Sequence, residues 1–174
     1  MTTMKNTYTL ESDTASHPDK ICDQISDAIL DAHLAQDPRA RVAMEAFGAH
    51  DILVIGGEVT SSAKVDAESI AKKIYFEELG YEEPLTITTN IIQQSPDIAQ
   101  GVDTGGAGDQ GIMYGYATDE THEFLPKGVV LVHALARGLE DLGKNDPECR
   151  WLKPKGKAHG KAQITIREGK VASA

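Results

Sequence analysis

Residues 41–60 read RVAMEAFGAHDILVIGGEVT, and their patterning decides the fold class. Arg41 to Phe47 alternates, with Val42 and Met44 on one face and Glu45 on the other. Gly48-Ala49-His50-Asp51 is a turn, and Ile52 to Ile55 followed by Gly56-Gly57-Glu58-Val59-Thr60 is a second strand with a glycine kink, so the stretch predicts an antiparallel hairpin. Upstream, Thr7 to Leu10 predicts a short strand. Pro18 to about Ala35 has helical periodicity, with Ile21, Cys22, Ile25, Ala28, Ile29 and Ala32 on one side and Pro38 ending it. Downstream, Asp66 caps a helix carrying Ile70, Ile74 and Leu79, Gly80 stops it, and the β-branched run Leu85 to Ile92 predicts a strand. Strand, helix, hairpin, helix and strand in this order imply an α+β unit of two layers, with helices on one face of a largely antiparallel sheet.

A second unit follows. Residues 93–115 hold six of the sixteen glycines, Lys127 to Leu142 predicts a helix, Asn145 to Gly160 a basic loop, and Ala162 to Arg167 the start of a strand. The expected division is residues 1–103 for the first unit and 104–174 for a second, incomplete one.

The chain has 174 residues, with 27 acidic against 17 basic side chains and a formal charge of −10. This composition is that of a folded globular protein, and the acidic excess argues against nucleic-acid binding, which needs Lys and Arg to neutralise phosphates. The longest apolar run, Gly128 to Leu135, is too short for a membrane span and contains His133. The N-terminus lacks the order of a signal peptide, which makes the cytoplasm the expected location. Cys22 and Cys149 form no CxxC and no disulfide framework.

Two segments suggest chemistry. In His17-Pro18-Asp19-Lys20, Pro18 suits the first helical turn, so His17 stands at a helix entrance where backbone N–H groups and the dipole attract anions. Asp19 can hold a divalent cation against a phosphate there; an ordinary capped helix start accounts for the same residues. Asp19, Asp23, Asp27 and Asp31 share one helical face, which reads as solvated beyond the first of them. The glycine-rich stretch from Gln94 to Gly111 is neither GxGxxG nor a Walker loop. Its amides and carboxylates suit a mobile loop around an ammonium-bearing ligand, with Asp109 as counter-charge, and equally suit a structural turn cluster. Glu45 and Glu58 are strand carboxylates of the kind that usually face solvent.

Taken together, Glu11-Ser12, HPDKICDQISDA (residues 17–28), Gly56-Gly57-Glu58, Gln94-Ser95-Pro96-Asp97-Ile98 and GAGDQGIMYGYATDET (residues 106–121) closely resemble the S-adenosylmethionine synthetase family. The resemblance implies α/β sandwich units of that family's type, with two subunits meeting through flat sheet faces. It also implies a reaction in which the sulfur of L-methionine attacks C5′ of ATP and the released tripolyphosphate is cleaved. Mg²⁺ and K⁺ are the implied cofactors. By motif, His17 is the implied catalytic contact to the triphosphate, Lys161 an ATP contact, Asp19 a Mg²⁺ ligand and Glu45 a K⁺ ligand. Glu58, Gln94 and Asp109 are the implied methionine contacts. The segment from Gln94 to Gly106, including Ser95, Pro96, Asp97, Gly101 and Gly105, corresponds to the family's gating loop.

Three departures from the pattern stand out. Extra residues follow Trp151-Leu152-Lys153-Pro154, around Lys155, so that His159 stands where the family has an acidic residue before Lys161. The gating loop is several residues short. The sequence ends near Ala174, whereas family members continue for a comparable length and carry there the cations that clamp tripolyphosphate. Each close unit pair of that clamp is worth roughly 4 kcal/mol at an effective dielectric near 20. The expectation is a portion of a synthetase completed by a second polypeptide, in a homo- or hetero-oligomer; the alternative is a non-catalytic methionine-binding or regulatory paralogue.

Overall fold

The computed structural model describes residues 7–107, 110–152 and 160–174. In chain order it contains β1 (Thr7–Asp13), α1 (Pro18–Leu34), β2 (Arg41–Ala49), β3 (Ile52–Thr60) and α2 (Ala67–Lys72), which continues as a π-helical turn, Lys73–Glu78. Then come β4 (Thr86–Gln93), α3 (Pro96–Asp103), α4 (Lys127–Asn145), a 3-10 turn (Pro147–Leu152), β5 (Lys161–Arg167) and β6 (Lys170–Ser173). The elements form two units: a continuous one, Pro18–Met113, and a discontinuous one that joins the residues up to His17 with Tyr114–Ala174.

The continuous unit is built on the sheet β2-β3-β4. The hairpin forms as its alternation requires, in register from Arg41 opposite Thr60 to Ala49 opposite Ile52. Ile21, Cys22, Ile25 and Ile29 of α1 pack with Met44, Leu53 and Ile55 of the sheet and with Ala67 and Ala71 of α2. Removing one such aliphatic side chain from water contributes roughly 1.5–3 kcal/mol, so this face of the sheet is what commits the unit to two layers. Asp66 caps α2 by accepting from the Ser69 amide at 3.1 Å, and Gly80 ends the helical run at φ +70°, a conformation glycine adopts without strain. One pairing differs from the expected largely antiparallel sheet: β4 runs parallel to β3, from Ile52 opposite Thr86 to Val59 opposite Gln93. The chain returns to the sheet through a helix rather than a tight turn, and a crossover of that length is what parallel neighbours need.

The second sheet, in the discontinuous unit, has the order β1-β5-β6. The N-terminal strand, expected with the first unit, instead pairs antiparallel with β5 from Thr7–Arg167 to Asp13–Lys161. Its alternation explains the choice: Tyr8 and Leu10 pack with Ile164, Ile166 and Ala162 against Val132 and Ala136 of α4. A partner so distant in the chain is invisible to local patterning. At Gly128 of α4 an added Cβ would lie 2.6 Å from Leu10 Cδ1 and 2.7 Å from Tyr8 Cε2, so helix and sheet approach closely only because that residue has no side chain.

Candidate functional site

In the discontinuous unit, β1 and β5 bring three charged side chains to one face. Glu11 and Asp13 are two residues apart and therefore point the same way, and Lys161 is the cross-strand partner of Asp13. Lys161 Nζ donates to Glu11 Oε1 at 3.2 Å and lies 3.4 Å from Asp13 Oδ1. The hydrogen bond to Glu11, reinforced by the Asp13 charge, holds the Lys161 ammonium above the ordinary lysine range. His17 Nε2 stands 3.9 Å from the same Asp13 Oδ1.

The turn between β1 and α1 fixes this placement. The Thr14 amide donates to the Gly160 carbonyl at 3.0 Å, the Gly160 amide donates to Thr14 Oγ1 at 3.1 Å, and the His17 amide donates to the Thr14 carbonyl at 3.0 Å. The Ala15 amide donates to the Glu140 carboxylate from α4, and Ser12 Oγ hydrogen-bonds His133 Nδ1 at 2.9 Å. A buried, doubly bonded Thr14 thus ties the residues ahead of α1 to the start of β5, and holds His17 and Lys161 around one carboxylate. Sequence reasoning singled out His17 and Lys161. It missed Asp13, whose signal was its place two residues after Glu11 in an alternating strand.

In the continuous unit, the other expected residues fall into two sets. Asp19 is exposed in the first turn of α1, and Asp23, Asp27 and Asp31 are exposed along the same helix, as a solvated face requires. Asp23 accepts from Lys20 at 2.9 Å. Register places Glu45, Glu58 and Gln94 on the sheet face opposite the core: Glu45 faces Gly56, Glu58 faces Ala43 and runs beside Ile92, and Gln94 follows β4 with its amide donating to the Val59 carbonyl at 3.3 Å. This face is also apolar, with Phe47 at 66% exposure and Ile92 at 56%. A groove of about 650 Å³ opens beside it, lined by Asp37, Arg39, residues 59–62 and residues 91–93; neither Glu58 nor Gln94 lines it.

The gating segment is partly helical rather than loop. Ser95 caps α3 by accepting from the Asp97 amide at 3.2 Å, and Pro96 occupies the first helical position. The Ser-Pro pair was the legible signal, masked in sequence by the glycines around it. Beyond α3 the chain turns back, the Gly106 amide donating to the Gly101 carbonyl at 3.0 Å, with Gly105 at φ +86°. Arg41 meets the segment at two points: Nε donates to Gln94 Oε1 at 3.1 Å and Nη1 meets Asp103 Oδ1, at the end of α3, at 2.5 Å. Asp109, with Lys155 and His159, lies outside the described residues.

Among the described residues no group of three or more His, Cys, Asp or Glu side chains gathers as a metal cage. The Asp19 carboxylate fits the way Mg²⁺ is commonly held, by one or two protein carboxylates with phosphate oxygens and water completing the shell. Glu45 supplies one oxygen donor group and needs others to complete a K⁺ site. No described helix is long and apolar enough to cross a membrane.

Comparison with known proteins identifies the family of the chain. The family model "S-adenosylmethionine synthetase, N-terminal domain" matches residues 5–100, and the model "S-adenosylmethionine synthetase, central domain" matches residues 104–171. The chain is 46% identical over 173 residues to S-adenosylmethionine synthase 1 of Rhodopseudomonas palustris (strain BisB18), covering 93% of this chain and 44% of the relative. It is 45% identical over 174 residues to S-adenosylmethionine synthase of Sorangium cellulosum (strain So ce56), covering 91% of this chain and 40% of the relative. Over 170 residues it is 45% identical to S-adenosylmethionine synthase 1 of Rhodospirillum rubrum, covering 91% and 43%. The chain therefore spans less than half the length of the curated relatives it matches.

Proposed function

The chain belongs to the S-adenosylmethionine synthetase family, and on that premise we propose that it supplies the N-terminal and central-domain part of an ATP:L-methionine S-adenosyltransferase, completed by a second polypeptide carrying the remaining part. The observation that supports this most is the convergence of His17 and Lys161, two family positions far apart in sequence, on the single carboxylate of Asp13.

In the proposed reaction the methionine sulfur forms a bond to C5′ of ATP as the C5′–oxygen bond breaks, and tripolyphosphate leaves before water cleaves it to pyrophosphate and phosphate. A thioether attacks without losing a proton, so no general base is needed, and rate comes from alignment and from stabilising the departing oxygens. His17 and Lys161 donate to the polyphosphate, with Glu11 and Asp13 orienting the Lys161 ammonium. Glu58, Gln94 and Asp109 hold methionine, Asp109 against its ammonium group. Mg²⁺ on Asp19 would neutralise phosphate charge, and Glu45 would contribute to a K⁺ site. The exposed apolar sheet face carrying Phe47 and Ile92 suits association of copies or complementary subunits, and a cytoplasmic setting is part of the same reading.

The test is to purify the chain alone and co-expressed with a polypeptide covering the rest of a relative's length, and to assay methionine-dependent S-adenosylmethionine and tripolyphosphate formation. Product from the co-expressed assembly, lost on His17→Ala or Asp19→Ala, supports the proposal. An inactive assembly that still binds methionine supports instead a non-catalytic, regulatory paralogue, the reading that His159 favours by standing where the family has an acidic residue.

A further inference from the structure

Arg41 has no role in the proposed chemistry, yet its guanidinium touches the gating segment at two points, Gln94 at its start and Asp103 at the end of α3. Nε donates to Gln94 Oε1 at 3.1 Å at the exit from β4, and Nη1 meets Asp103 Oδ1 at 2.5 Å at the last residue of α3. We infer that Arg41 is a positioning residue: it fixes the Gln94 amide and latches α3 to the sheet.

The argument starts from the sheet. Arg41 opens β2 and pairs with Thr60, which in the parallel β3–β4 alignment is continued by Gln94, one step beyond the pair Val59–Gln93. Arg41, Thr60 and Gln94 therefore share the outward face, the same face as Glu58. With Gln94 Oε1 engaged by Arg41, the amide is held in one of its two flip states, and its two Nε2 hydrogens are left to act as donors. A ligand carboxylate is the acceptor such donors fit. The positioning role rests on reading Gln94 as a methionine contact; the latch to α3 does not.

The second bond does different work. α3 is eight residues long, too short to persist alone in water, and none of its residues is buried. Its cap at Ser95, the Gly106 amide on the Gly101 carbonyl and the Arg41–Asp103 pair hold it. The Arg41 side chain is 26% exposed and Asp103 59%, so the pair is accessible to salt and weak enough to open on each turnover. Only arginine can serve both acceptors, because its planar fork carries Nε and Nη donors at fixed angles, whereas a lysine ammonium is one point charge.

Hydrogen exchange followed by mass spectrometry on the full 174-residue chain tests the latch. Arg41→Ala is expected to accelerate exchange in residues 96–106 by about three- to tenfold, the range for losing one accessible charged pair with a second hydrogen bond, while α1 and β3 keep their rates. Arg41→Lys should fall between, and 0.5 M salt should accelerate the native segment but not the Arg41→Ala segment. Unchanged exchange in 96–106, or equal acceleration throughout the unit, overturns the latch. In the co-expressed assembly, Arg41→Ala should raise the methionine KM about five- to tenfold with the ATP KM unchanged. Gln94→Glu should raise it at least as much, because the Arg41 contact survives while the donors are lost. Equal changes in both KM values overturn the positioning role. Exchange is measured without substrate, so an assembly that makes no product would sink the synthetase reading while the latch stands or falls by itself.

Discussion

Asp13 and Lys161 face each other across the β1–β5 pair, with Lys161 Nζ 3.4 Å from Asp13 Oδ1. On the proposed reading Asp13 helps Glu11 aim the Lys161 ammonium at the polyphosphate; the hydrogen bond to Glu11 first, and then the Asp13 charge, hold that ammonium above the ordinary lysine range. In the co-expressed assembly, Lys161→Met should lower kcat/KM for ATP by about 100-fold, the scale of losing a charged hydrogen bond in the transition state. Asp13→Asn should cost about tenfold, since Glu11 still holds the ammonium. Steady-state kinetics at varied ATP checks both. Equal losses for the two variants would mean that Asp13 acts on the ligand rather than through Lys161.

Gly57 sits at φ +146°, and a Cβ there would lie 2.0 Å from the Ala43 carbonyl oxygen on β2. Backbone cannot yield as a side-chain tip can. Gly57→Ala should therefore destabilise the chain by roughly 2–4 kcal/mol and disturb the placement of Glu58 next to it. Urea unfolding of the variant beside Gly80→Ala, where no atom lies within 4 Å, separates crowding from loss of glycine freedom. Gly57→Ala should be clearly the worse of the two.

Asp37 predicts an acid-side effect with a defined sign. Its carboxylate accepts from the Ser62 amide at 2.8 Å and the Arg39 amide at 3.1 Å, and from the Ser61 and Ser62 hydroxyls, and these bonds, the Ser62 amide foremost, hold it below the ordinary aspartate range. A lowered folded-state value means that stability is fully present above the unfolded value of about 3.9 and is lost as pH falls through the folded one. Through this group the native chain should lose stability as pH falls below about 4, and Asp37→Asn should be less stable at pH 7 but flatter against acid. Parallel urea midpoints from pH 7 to pH 3 would remove Asp37 from the account.

Much of this was legible beforehand, and what was not has physical reasons. The hairpin, α1 and the cap at Asp66 follow from alternation, 3.6-residue periodicity and a single side chain, all local signals. The partner of β1 depends on which distant strand offers matching apolar positions, and the direction of β4 on the path of the crossover; neither is written in a window of residues. His17, Lys161 and Gln94 were visible as motif positions. Their supports, Asp13 and Arg41, were not, because each looks like an ordinary strand charge until the register places it beside its partner.

Phe47 and Ile92 lie on the sheet face that turns away from the core, together with Glu45 and Glu58. If that face is the association surface, Phe47→Asp should shift the assembly toward its smaller form by at least tenfold in dissociation constant, because a charge then replaces buried aromatic area. Analytical ultracentrifugation across a concentration series reads this directly, and an unchanged distribution would assign association to another surface.

The most direct test of the central claim is S-adenosylmethionine formation from ATP and L-methionine by three samples at equal concentration: the chain alone, the complementary polypeptide alone, and the two co-expressed. The account predicts product only from the co-expressed pair, and its loss on Lys161→Met. Full activity from the 174-residue chain by itself, or no product from a stable co-expressed complex, would contradict it.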